Sequence, residues 1–169
     1  MMTNGAIDRQ LSGLKEALRA SFSAASLPAQ EDVAPHDCKE CRAIREAFAG
    51  RTWESLRPHE VEQRFDSLPM LSPSAFHYYL PAYLIYSLEH FNGDSLVCQF
   101  TIYAVAPNDG DDETRFQLWW RERMRKFTPE QFTLLERFLD LVSQDKELSQ
   151  YNGVVGAKER LRRHYNREA

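Results

Sequence analysis

Three side chains with an affinity for soft metal ions fall within six residues, in the run His36-Asp37-Cys38-Lys39-Glu40-Cys41. Zinc takes thiolate and imidazole ligands in a tetrahedral shell, and a Cys-x-x-Cys pair on a turn entering a helix reaches a single ion. The spacing predicts a zinc knuckle over 36–41 in which His36, Cys38 and Cys41 are ligands. The fourth position falls to Asp66, with His59, His77 or a water as alternatives. The competing structural reading makes the two cysteines small apolar residues on one helix face, with His36 as a cap. A His, Cys, Cys set plus water is also the ligand set of the zinc deaminases, which place a Glu two residues after the His and a Pro-Cys-x-x-Cys elsewhere. Here Cys38 stands where that Glu belongs, so a staple tying a linker to a helix is the better reading. A redox use of the same thiols expects the motif after a strand in a βαβ unit, and the pattern supplies no such unit.

Other chemistry-bearing residues read more blandly. His77 lies one turn before Pro81, where it can act as a ligand or base, although a core histidine with one satisfied nitrogen is the commoner outcome. There is no Gly-x-Ser-x-Gly, phosphate loop or His-Glu-x-x-His. Asp111 and Asp112 belong to an acidic run, Asn108 to Glu113, that reads as a solvated loop. Arg115, Arg121, Arg123, Arg125 and Lys126 interleave with Trp119 and Trp120, a mixture that can hold phosphates and stack bases. A final basic helix adds Lys158, Arg160, Arg162, Arg163 and Arg167. Against nucleic-acid binding stand Trp120 on a core stripe and the overall acidic balance, 25 Asp and Glu against 21 Lys and Arg for a formal net charge of −4. A solvated basic face beside an acidic loop is the better reading, and the same face, 115–126, suits docking of an acidic protein partner.

The elements that must position these residues are helical. Ile7, Leu11, Leu14, Leu18 and Phe22 make one apolar stripe, predicting an amphipathic N-terminal helix within 1–26. A polar, proline-containing linker, 26–35, separates it from a helical domain over 36–169. Cys41, Ile44 and Phe48 stripe a second helix ended by Gly50, and Pro58 opens a short third. The run from Leu71 to Phe91 is apolar nearly all round behind a Ser72 cap, which marks a central buried helix, with a kink expected at Pro81. Residues 94–105 carry a helical spacing behind Asp94, with a strand as the alternative. Phe116, Trp120, Met124 and Phe127 stripe another helix, and Thr128-Pro129-Glu130-Gln131 opens the next with a capping box. The fold class is therefore all-α, a compact helical bundle around the Pro-containing aromatic helix.

At 169 residues with 43% hydrophobic and 12% aromatic content, the chain can bury a real core, and disorder as a whole is excluded. No apolar run approaches the roughly 20 residues that span a bilayer. Three cysteines behind an N-terminus with no basic start and apolar block imply reduced thiols and a cytoplasmic setting.

The stretch from Leu71 to Leu84 reads Leu-Ser-Pro-Ser-Ala-Phe-His-Tyr-Tyr-Leu-Pro-Ala-Tyr-Leu, and a Thr-Pro-Glu-Gln helix follows from Thr128 to Leu139. Cys38 and Cys41 precede Phe48, Gly50 and Trp53, and Asp66 to Pro69 reads Asp-Ser-Leu-Pro. These motifs resemble an uncharacterised bacterial domain-of-unknown-function family, over about His36 to Leu141, with the first helix and basic tail outside. The resemblance implies a small, mostly helical cytosolic domain and supplies no catalytic residues. The expectation is a zinc-stapled protein-binding or regulatory module, of the kind that serves as an immunity-type antagonist. The alternatives are an enzyme with an open zinc site, water on the metal acting beside Asp66 or His77, and a nucleic-acid binder using 115–126.

Overall fold

The computed structural model describes residues 4–90, 95–107, 115–145, 149 and 153–166. Among these the regular structure is helical throughout, as its sequence periodicity requires. Eight α-helices follow one another: α1 (Asn4–Phe22), α2 (Lys39–Phe48), α3 (Pro58–Gln63), α4 (Pro73–Glu89), α5 (Leu96–Val105), α6 (Arg115–Met124), α7 (Pro129–Val142) and α8 (Ala157–Asn166). Short 3-10 turns at Gln30–Asp32, Trp53–Ser55 and Leu68–Met70 join the first four.

α4 is the hub. The side chains from Ala75 to Leu88 are buried almost without interruption; His77 alone is half-covered. α1, α5, α6 and α7, together with the Trp53–Ser55 turn, pack around it. The helix starts where the residue types require. Ser72 Oγ accepts from the Ala75 N–H at 3.1 Å, and Pro73 takes the first position, where no N–H is needed. It then runs through Pro81 as one element.

The tyrosines of α4 explain how short helices of little intrinsic stability are held. Tyr79 Oη donates to the Phe48 carbonyl at 2.7 Å and to Arg51 at 3.0 Å, closing the end of α2. Tyr83 Oη donates to the Arg64 carbonyl at 2.8 Å at the end of α3, and Tyr86 Oη to the Glu62 carboxylate. A helix of six residues cannot persist alone; here its last turn is satisfied from the hub. Its first turn is satisfied by Glu60, which accepts from the Arg57 N–H at 2.9 Å and forks with Arg51 at 2.8 and 2.9 Å. Those guanidinium contacts, from Arg51 and then Arg57, hold the Glu60 carboxyl well below the usual range.

The N-terminal helix is docked. Leu14, Leu18 and Phe22 are fully buried, and α1 lies against α4 and α7. The linker after it is docked too: Val33 and Ala34 are buried, and the Val33 carbonyl accepts from the Ser72 N–H at 3.0 Å. Residues 96–105 form a helix and no strand. Its cap is Ser95, whose Oγ accepts from the Cys98 N–H at 3.3 Å; Asp94, the cap expected from the sequence, lies outside the described residues, as does the acidic run 108–113. The basic last helix is anchored on α7 by Lys158–Asp140 at 2.5 Å and Arg162–Glu136 at 2.6 Å. Arg160 is buried and donates to the carbonyls of Ala106, Pro107, Gly153 and Val155, binding α8 to the chain leaving α5. Arg167 lies outside the described residues. No helix among the described residues is long and apolar enough to cross a membrane.

Candidate functional site

Three places in this framework hold side chains with chemical potential: the edge at 36–41, a cleft on α4, and a polar junction between α1, α4 and α7.

At the edge, Cys38 is the N-cap of α2. Its Sγ accepts from the Cys41 N–H at 3.3 Å, and the side chain is exposed. Cys41, one turn on, is buried at 1% exposure, and its backbone N–H is the donor to the Cys38 sulfur. Burial foremost, then the Cys38 contact, pushes the Cys41 thiol upward in pKa. His36 has an exposed side chain, and Asp66 is an exposed residue on the turn after α3. The two cysteines are joined by the cap hydrogen bond, and His36 and Asp66 each lie exposed. Among the described residues no group of three or more His, Cys, Asp and Glu side chains is arranged to hold a metal ion. His59, on the first turn of α3, is exposed as well. Two thiols are half of a tetrahedral zinc shell. The mechanical role expected of an ion is filled by arginine. Arg45 donates to the Ala34 and His36 carbonyls at 2.5 and 2.9 Å, and both Arg42 and Arg45 pair with Asp37, at 3.0 and 3.5 Å. Those contacts tie the linker to α2.

The junction accounts for His77. Its Nε2 donates to Gln131 Oε1 at 2.9 Å, and the same oxygen accepts from the Thr128 N–H at 3.0 Å. Gln131 Nε2 donates to the Ser21 carbonyl at 3.1 Å, which fixes the amide's orientation and hence the imidazole's tautomer. Phe22 and Phe127 flank the ring at 5.2 and 4.8 Å. Burial lowers the His77 pKa; the Gln131 contact opposes this, and nearby Lys126 adds to it. The imidazole is a half-covered group held through Nε2 by Gln131 and flanked by two phenyl rings.

The basic stretch turns inward. Trp120 Nε1 donates to the Val105 carbonyl at 3.1 Å and Trp119 Nε1 to Pro69 at 2.8 Å. Arg123, buried, stacks 3.8 Å from the Trp119 ring centroid and donates to the Trp119 and Leu71 carbonyls. Burial brings its pKa down to about 10. The indoles that base stacking requires are thus committed to the body, and Arg121 and Arg125 are engaged within the chain.

The cleft was not singled out from the sequence. Ala82, Ile85, Tyr86 and Glu89 line it along one strip of α4, and Trp53, Leu56, Pro58 and Val61 face them, with the charged Arg19, Glu54 and Glu89 at its rim. Its volume is about 210 Å³. Within the described residues Arg19 and Glu54 make no hydrogen bond or ion pair, whereas Glu89 pairs with Lys15 at 3.2 Å. The Tyr86 hydroxyl is pushed up to about 12 by burial and then by the Glu62 carboxylate, so it stays a neutral donor. A trace of this strip is legible in the sequence, since Ala82, Ile85, Tyr86 and Glu89 recur at helical steps and end in a charge.

Comparison with known proteins places the chain once these features are in hand. The profile of a family of unknown function, DUF6714, matches residues 14–168. The chain belongs to that family, and the match takes in the second half of α1 and nearly all of the basic tail, beyond the 36–141 expected from the motifs. No curated protein and no solved structure matches it significantly.

Proposed function

We propose that this member of the family is a binding module whose working surface is the α4 cleft, which receives side chains of a protein partner. The size of the cleft carries the reading. At about 210 Å³ it is smaller than the roughly 300–1,000 Å³ of sites that enclose a small ligand, and it suits one or two inserted side chains. Its floor and walls offer Trp53, Ile85 and Tyr86, the aromatic and aliphatic surfaces on which interface anchors pack. A polar rim around an apolar centre is the anatomy of such interfaces. Of the rim charges, Glu89 is paired with Lys15, whereas Glu54 has no ionic partner among the described residues. The complementary segment therefore presents a Lys or Arg beside an apolar anchor.

Panning a random peptide library against the purified chain tests this. Enriched peptides should share a basic residue next to Leu, Ile or Trp. Glu54→Lys should weaken them about tenfold (about 1.4 kcal/mol), and exchanging the peptide's basic residue for Glu should restore part of the loss. A library that enriches nothing, or binders indifferent to Glu54→Lys, overturns the reading.

A further inference from the structure

The Cys38–Cys41 pair is left unused by the cleft, and its geometry points to a chemistry of its own. The two thiols differ in every respect that matters for exchange. Cys38 is exposed at the N-cap of a ten-residue helix, its sulfur accepting from the Cys41 N–H at 3.3 Å. A hydrogen bond to sulfur strengthens when the sulfur carries charge, so the cap geometry is suited to a thiolate. Cys41 is 1% exposed, and its backbone N–H already reaches the Cys38 sulfur at 3.3 Å. An outside disulfide can reach the first sulfur and not the second. The second belongs to the residue whose N–H the first already accepts, three positions along the same turn. Arg45, which tethers the preceding turn, lies near enough to Cys41 to favour its charged form against the effect of burial.

We propose that Cys38 and Cys41 form a two-electron redox couple, with Cys38 the attacking thiol and Cys41 the resolving one. The Cys38 thiolate attacks one sulfur of an accessible disulfide; that S–S bond breaks, a mixed disulfide forms on Cys38, and the other half leaves as a thiolate. Cys41 then gives its proton to the departed thiolate and attacks Cys38 Sγ, and the second half leaves as a thiolate that solvent protonates. The outside disulfide is reduced to two thiols, and the protein is oxidised to a Cys38–Cys41 disulfide. A reduced dithiol returns it by the reverse steps. Cys98 takes no part, being fully buried, with its thiol pushed up to about 12 by burial. The inference is independent of the cleft.

The experiment equilibrates the full chain in mixtures of reduced and oxidised glutathione, quenches with acid, alkylates and maps the thiols by mass spectrometry. Oxidation should convert Cys38 and Cys41 together to an intramolecular disulfide while Cys98 remains a thiol. Cys41→Ala, which keeps a small apolar group in the core, should accumulate a glutathione adduct on Cys38; Cys38→Ser should abolish both products. Circular dichroism establishes that each variant is folded. Metal analysis of the chain as purified is the last arm. Three results overturn the proposal: Cys38 and Cys41 still independently alkylated in oxidised glutathione, no adduct on folded Cys41→Ala, or one zinc per chain that protects both thiols.

Discussion

The edge at 36–41 and the junction around Gln131 hold the same kind of material, short polar side chains at the start of a helix, and use it in opposite ways. At the junction every polar atom of Gln131 is engaged. Its oxygen takes two donors, its nitrogen reaches the Ser21 carbonyl, and the imidazole it holds lies between two phenyl rings. At the edge one sulfur caps the helix while remaining exposed, and the charges around it are ion pairs at the surface. Enclosure from several elements turns a potential base into a structural bolt. A site served by a single helix and its preceding turn keeps its reactivity. Residue type alone does not distinguish the two.

The largest effect that separates them is on stability. Gln131→Leu keeps the volume but orphans the Thr128 N–H, the Ser21 carbonyl and the His77 Nε2–H. Loss of three bonds at about 1 kcal/mol each lowers the unfolding free energy by about 3 kcal/mol, measured by urea denaturation at pH 7.5. A loss under about 1 kcal/mol would mean that the junction is no bolt.

The next effect is on pH dependence. The folded state depresses the His77 pKa, so the unfolded chain binds the proton first as pH falls. The junction's contribution is complete above the ordinary imidazole value near 6.5. It is lost on acidification between that value and the lower folded one, with a slope no steeper than about 1.4 kcal/mol per pH unit. Urea midpoints from pH 7.5 to 5.5 should fall in the parent chain and fall less in His77→Gln.

The smallest effect belongs to the edge. Cys38→Ala removes a cap contact that water can replace, and costs at most about 1 kcal/mol, while Cys38→Ser keeps an acceptor at the cap and changes stability less. A cost for Cys38→Ala comparable with that of Gln131→Leu would make the cysteine structural and erase the contrast.

Much of the fold was legible. The Ser72 and Thr128 caps, the apolar stripes of α1, α2 and α7 and the all-round apolar α4 are local patterns, and each formed the expected element. The Cys-x-x-Cys was legible as a pair of facing thiols on α2. Where a fourth group would lie was not legible, because ligand spacing along the chain says nothing about position in space. The basic stretch was legible only in part for a related reason: periodicity marked Trp120 as buried, but nothing local indicated that Trp119 would bond a carbonyl 50 positions back. The cleft was missed because its α4 lining, Ala82, Ile85 and Tyr86, is apolar and buried like the rest of that helix.

By itself the sequence determined where helices begin and end and which faces are apolar, since capping and periodicity act over three or four residues. Only the tertiary structure decided which polar side chains are engaged and which are left to react. Gln131 meets Ser21 across 110 positions, and Arg160 meets Ala106 across 54. Partners that distant exist only once the helices have packed, and burial, which sets the worth of each bond and the proton affinity of each group, comes with them.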